Sequence, residues 1–137
     1  MKTGAQCAPR FRVIVRGEIA LGPGKVQLLA AIRETGSIVE SAKRMGMSYM
    51  RAWTLLRTMN RCFKSPLVEA VRGGAQGGGA RLTPLGNRIL ALYQKMERTA
   101  IKATDGTRVE LLSLLAGSAG DRKEQRTAAG RVRAKLK

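Results

Sequence analysis

The sequence predicts a mainly α fold with a small β-hairpin, and three observations predict it. Residues 25–63 hold three consecutive runs of apolar side chains at helical spacing, parted by Gly36 and Gly46. Two short stretches with strand-like alternation are joined by GGAQGGG at 73–79, which has five glycines in seven positions. A further helical run opens at Thr83-Pro84 and outlasts the others. In that order the elements make a winged helix-turn-helix followed by a long helix.

Residues 1–9 read as a flexible leader. RFRVIVRGEIAL, 10–21, alternates with period two: Phe11, Val13 and Val15 share one face, and Arg12, Ile14 and Arg16 the other, as in a half-buried strand. GPGK at 22–25 breaks the chain. It is a turn before a helix rather than a phosphate loop, because Val26 stands where Ser or Thr would hold a metal. The first helix, 25–36, places Val26, Leu29, Ala30 and Ile32 at helical spacing and ends on Gly36. Ser37 caps the second helix, 38–45, with Glu40 three residues on in the capping-box pattern. Its buried side is Ile38, Ala42 and Met45. Gly46 supplies the positive φ of a tight turn, Met47 drops into the core, and Ser48 caps a third helix reaching about Phe63. The apolar stripe of that helix is Ala52, Leu55 or Leu56, Met59 and Phe63, and Trp53 is expected in the core.

LVEAVR (67–72) and ARL (80–82) read as the two strands of the hairpin. Thr83 is a cap and Pro84 a first helical residue. The long helix carries Leu85, Ile89, Leu92 and Met96 at spacings of four, three and four, and runs to about residue 103. A short helix is expected within 104–117. The last twenty residues, 118–137, hold seven basic and two acidic side chains and scarcely an apolar one, the composition of a disordered tail.

Charge is the loudest global signal. The 137 residues hold 26 Lys and Arg against 9 Asp and Glu, a formal charge of +17, which favours polyanionic partners. There is no histidine, which removes Ser-His and Cys-His nucleophile systems and His-based zinc sites. The acids are scattered singly, without the paired spacing of acid/base or magnesium chemistry. An enzyme is therefore not expected, nor a cofactor or metal. Two cysteines, Cys7 and Cys62, give no disulfide framework. No leader pattern or membrane-spanning run is present, so the expected location is cytoplasmic.

A helix-turn-helix needs a small residue where its helices cross and a turn residue tolerant of positive φ; Ala42 and Gly46 fit, while Ser41 is small but polar. The third helix is then the reader of double-stranded DNA, and its groove candidates are Ser48, Tyr49, Met50, Arg51, Thr54 and Arg57. Arginine suits guanine O6 and N7, whereas Thr54 and Tyr49 suit a phosphate or a thymine methyl. Ser37, Lys43 and Arg44 would hold the phosphate backbone, and Arg72, Gln76 and Arg81 would do so from the wing. The rival reading of GGAQGGG as a nucleotide loop lacks the following helix and lysine. The long helix from Thr83 carries more apolar surface than a small domain covers, which predicts a homodimer.

GSIVESAKRMGMSYMRAWTLLRTMN and LVEAVRGGAQGGGARLTPLGNRIL resemble the N-terminal DNA-binding domain of ModE-type molybdate-responsive repressors, related in fold to the LysR-type winged helices. The likeness runs from about Gly22 to Met96. It implies a winged-helix dimer acting as a transcriptional regulator, with molybdenum-related targets. Such repressors continue into an oxyanion-binding portion built of small β-barrels. The residues after the long helix do not read as one, so molybdate sensing is not expected within this chain. The expected organisation is a leader (1–9), a DNA-binding domain (10–103), a short helix (104–117) and a basic tail (118–137). The expected function is sequence-specific transcriptional regulation; the alternative is an architectural, nucleoid-type DNA-binding protein.

Overall fold

The structure is a computed structural model, and it describes residues 4–72 and 79–117. Gln76 and the basic tail lie outside the described residues. Residues 9–100 form one compact unit, and the remaining described residues, 4–8 and 101–117, belong to a second.

The larger unit opens with a hairpin where a single strand was expected. β1 (Val13–Val15) and β2 (Glu18–Leu21) pair antiparallel across Arg16-Gly17, with a bulge between Val13 and Ile14. Both turn residues have positive φ, +50° at Arg16 and +77° at Gly17, the backbone of a two-residue turn that matches strand twist. Arginine rarely takes that conformation, which is why the turn is silent in the sequence. The expected buried face of Phe11, Val13 and Val15 is only partly realised. Phe11 packs on the core, but Val13 and Val15 keep 39% and 38% of their surface exposed.

α1 (Pro23–Thr35), α2 (Ile38–Arg44) and α3 (Tyr49–Cys62) follow, then the hairpin β3 (Val68–Val71) and β4 (Gly79–Leu82), then α4 (Pro84–Ala103). α1 sits at the centre: Leu28, Leu29 and Ile32 are fully buried, against Ala42, Ala52, Leu56 and Met59 from the next two helices. Gly36 ends α1 at φ +67°, its N–H donating to Ile32 O at 2.8 Å. Its carbonyl accepts from Ala80 N at 3.0 Å, which ties β4 to the end of α1. β3 is positioned by Asn60 of α3, whose Oδ1 accepts from Leu67 N at 2.8 Å.

α4 starts as its sequence indicates, with Thr83 Oγ1 accepting from Gly86 N at 3.0 Å. Its buried face, however, is Gly86, Leu90 and Tyr93. The predicted stripe lies to one side: Leu85 and Ile89 are half-buried against the core, while Leu92 and Met96 are 48% and 43% exposed. The helix thus carries two apolar faces: the fold buries one and covers only the Leu85–Ile89 part of the other. In the end unit, α5 (Asp105–Ser113) buries no residue, and Arg108 ties its start together through Ile101 O at 2.8 Å and Asp105 Oδ1 at 3.1 Å.

Candidate nucleic-acid interface

The turn between α2 and α3 is fixed by backbone bonds around Gly46. Met47 N donates to Ala42 O at 3.0 Å and Gly46 N to Lys43 O at 3.1 Å. With Gly46 at φ +66°, this is the paired bonding that closes a helix on a left-handed residue. Met47 then packs against the core beside Met45. Ser41, the polar residue at the crossing, is fully buried and satisfied: its hydroxyl donates to Ser37 O at 2.7 Å and lies 2.9 Å from Thr35 Oγ1. Small side chains at Ser41, Ala42 and Ala52, all buried, are what let the helices cross closely.

Both caps form. Ser37 Oγ accepts from Glu40 N, and Ser48 Oγ from Arg51 N, each at 3.1 Å. The capping box at Ser37 is half made. Thr35 Oγ1, not Glu40, accepts the Ser37 N–H, at 3.2 Å, and Glu40 pairs instead with Lys43 at 3.5 Å.

α3 buries Ala52, Leu56 and Met59, so its opposite side is the free one. Ser48, Tyr49, Met50, Arg51, Thr54 and Arg57 are all exposed there or on its flanks. Among the described residues, the Arg51 and Arg57 guanidiniums enter no ion pair. Trp53 departs from expectation. It is 38% exposed and stands edge-on to Tyr49, with ring centroids 6.4 Å apart, while its indole N–H donates to the Tyr49 hydroxyl. The reason is angular: Ala52, Leu56 and Met59 already fill the buried arc, and Trp53 lies about a hundred degrees from Ala52.

The backbone-holding candidates divide by their partners. Arg44 is paired with Glu34, Lys43 with Glu40, and Arg81 with Glu69 at 2.8 Å. Arg72 is exposed just after β3. Ser37 is half-buried at the start of α2. Arg61 pairs with Glu18 of β2, a contact that raises its pKa. The described residues include no cluster of metal-ligating side chains, and none of their helices is long and apolar enough to cross a membrane.

Residues 24–87 match the family described as bacterial regulatory helix-turn-helix protein, lysR family. The molybdenum-pterin-binding protein MopB of Rhodobacter capsulatus is 42% identical over 97 residues, 71% of this chain and 36% of MopB. The molybdenum transport protein ModE of Azotobacter vinelandii is 46% identical over 78 residues, 57% of this chain and 29% of that protein. The DNA-binding transcriptional dual regulator ModE of Escherichia coli K12 is 41% identical over 83 residues, 61% of this chain and 32% of its own. The chain therefore spans about a third of the length of these relatives. Among solved structures, the CbnR DNA-binding domain in complex with DNA shares the fold, with a TM-score of 0.50 at 19% identity. That likeness covers 64% of this chain and 95% of the other.

Proposed function

We infer that the chain is a sequence-specific DNA-binding transcriptional regulator, a reading supported by the match of residues 24–87 to the lysR-family helix-turn-helix. The observation that carries this is α3: a reading helix whose outer side holds two arginines without an acidic partner among the described residues. Arg51 and Arg57 take base edges, and Tyr49, Met50 and Thr54 lie between and beside them. Ser48 and Ser37 set the starts of α3 and α2 against the backbone. Lys43, Arg44, Arg72, Gln76 and Arg81 supply phosphate contacts. The pairs of Lys43, Arg44 and Arg81 are exposed, and such pairs are worth only ~0–1 kcal/mol, so a phosphate displaces the carboxylate at little cost.

The second apolar face of α4 supports a homodimer. Leu85, Ile89 and Leu92 line an open groove with Phe63, and Met96, four residues on from Leu92, is exposed. Pairing two such faces would present two reading helices to a palindromic site. The likeness to proteins named for molybdenum supports target genes in molybdenum metabolism, and a DNA-binding regulator of this type works in the cytoplasm.

The test is titration of the purified chain against its own upstream DNA and a scrambled duplex at two salt concentrations. A gap of ~10³-fold that Arg51→Ala abolishes supports the reading. Equal affinity for both duplexes, and for every fragment of a genome-wide pool, would leave an architectural DNA-binding protein.

A further inference from the structure

The outward side of α3 is less polar than a base-reading surface needs to be. Met50 is 70% exposed, and Tyr49 and Trp53 expose 45% and 38% beside it. Met50, Trp53, Thr54 and Arg57 follow the i, i+3, i+4, i+7 spacing of one helical face. The polar hydrogens on this side are mostly spent within the helix. Thr54 Oγ1 donates to Met50 O at 2.9 Å, Thr58 Oγ1 to Thr54 O at 3.1 Å, and the Trp53 indole N–H to the Tyr49 hydroxyl. Beside the Tyr49 hydroxyl, which accepts from Trp53 and keeps its own hydrogen, the first two turns expose a thioether at Met50 and an indole at Trp53. Arg51 flanks them and Arg57 stands one turn beyond.

Exposing such groups to water is unfavourable unless a partner covers them. The neighbouring arginines, in a chain of charge +17, select a polyanion as that partner. In the major groove, adenine, guanine and cytosine offer hydrogen-bonding groups, and thymine alone adds an apolar one, its C5-methyl. Resting on the regulator reading above, we propose that Met50 and Trp53 read thymine methyl groups. The operator would then be recognised by an apolar contact at the start of α3 with arginine contacts beside it. The tyrosine ring holds the indole in place through the edge-on contact, so Tyr49 is a positioning residue and Met50 and Trp53 make the contact.

The experiment begins with duplexes selected from a random pool by the full chain. Failure to enrich any sequence overturns the regulator reading, and this proposal with it. Given an enriched site, each thymine is replaced by deoxyuridine, which removes the methyl and keeps the hydrogen-bonding edge. One buried methyl is worth about fourfold in Kd, so loss of one or two should weaken binding by roughly fourfold to fifteenfold at constant salt. In a Met50→Ala/Trp53→Ala double variant, whose two changes are at exposed positions, the thymine-to-uracil ratio should fall towards one. Equal affinity of the unaltered chain for both duplexes overturns the proposal while leaving sequence-specific binding intact. So does a ratio that the double variant leaves unchanged, or an enriched site that contains no thymine.

Discussion

Gly86 sits where α4 passes the chain just ahead of β3. A Cβ built there would lie 2.1 Å from Leu67 O, a backbone atom that cannot swing aside. Leu67 O is already committed, accepting from Thr83 N at 2.9 Å. Gly86→Ala should therefore destabilise the fold by about 3 kcal/mol or more, read as a lower urea midpoint; an unchanged midpoint would show that α4 is free to shift. Tyr93 makes a second expectation at this scale. It is buried, edge-on to Phe11 at 6.4 Å, and its hydroxyl donates to Phe11 O at 2.8 Å. Burial, with Glu97 adding to it, raises its pKa above the tyrosine value of 10.0. A folded-state pKa above the unfolded one means this group favours folding while it stays protonated. Its contribution is complete below the unfolded pKa and is lost as pH climbs through the folded one. Thermal midpoints should decline on that alkaline side, and Tyr93→Phe, which cannot ionise, should flatten that part of the decline.

Elements show where one chain leaves surface over. α4 uses Gly86, Leu90 and Tyr93 to close the core, and Leu92 and Met96 remain exposed on its other apolar face. If that face pairs with its twin, a Leu92→Glu/Met96→Glu double variant should sediment as a monomer, fold normally, and bind a palindromic site at least ~10-fold more weakly, as expected when a second module no longer binds intramolecularly. A dimer unaffected by both charges would place the contact elsewhere. The α2–α3 turn depends on Gly46 alone for its left-handed backbone. Gly46→Val should cost on the order of 1–2 kcal/mol, because a β-branched residue is strained at that φ. The same substitution at Gly24, which is not in that region and has no atom within 4 Å of its added Cβ, should cost less.

At the scale of the whole molecule, charge governs how binding responds to solution. With +17 on 137 residues, and with Lys43, Arg44, Arg72 and Arg81 as the proposed backbone contacts, phosphate neutralisation should dominate affinity. For six or more phosphate contacts, Kd should weaken by ~10³-fold between 50 and 200 mM salt. Arg51→Ala should lower the specificity ratio more than the salt slope, whereas an Arg72→Ala variant should lower the slope and bind all sequences more weakly. Filter or fluorescence titrations over a salt series separate the two.

The sequence by itself determined whatever is local. Ser37 and Ser48 as caps, Gly36 and Gly46 as left-handed ends, Thr83-Pro84 as a helix start and the helical runs between them all act within about one turn of backbone. Their spacing therefore states their role. Net charge is likewise additive and needs no fold. Only the tertiary structure decided which of two apolar faces of α4 is fully buried, since both have helical spacing and the choice depends on distant chain, Leu67 against Gly86 and Phe11 against Tyr93. It also decided that Trp53 stands outside, because the buried arc of α3 has a fixed width that Ala52, Leu56 and Met59 exhaust. Arg16 at φ +50° is the same case: the pairing of β1 with β2 holds a conformation that its own side chain disfavours. Burial is a competition among side chains for a finite interior, and no single segment contains its outcome.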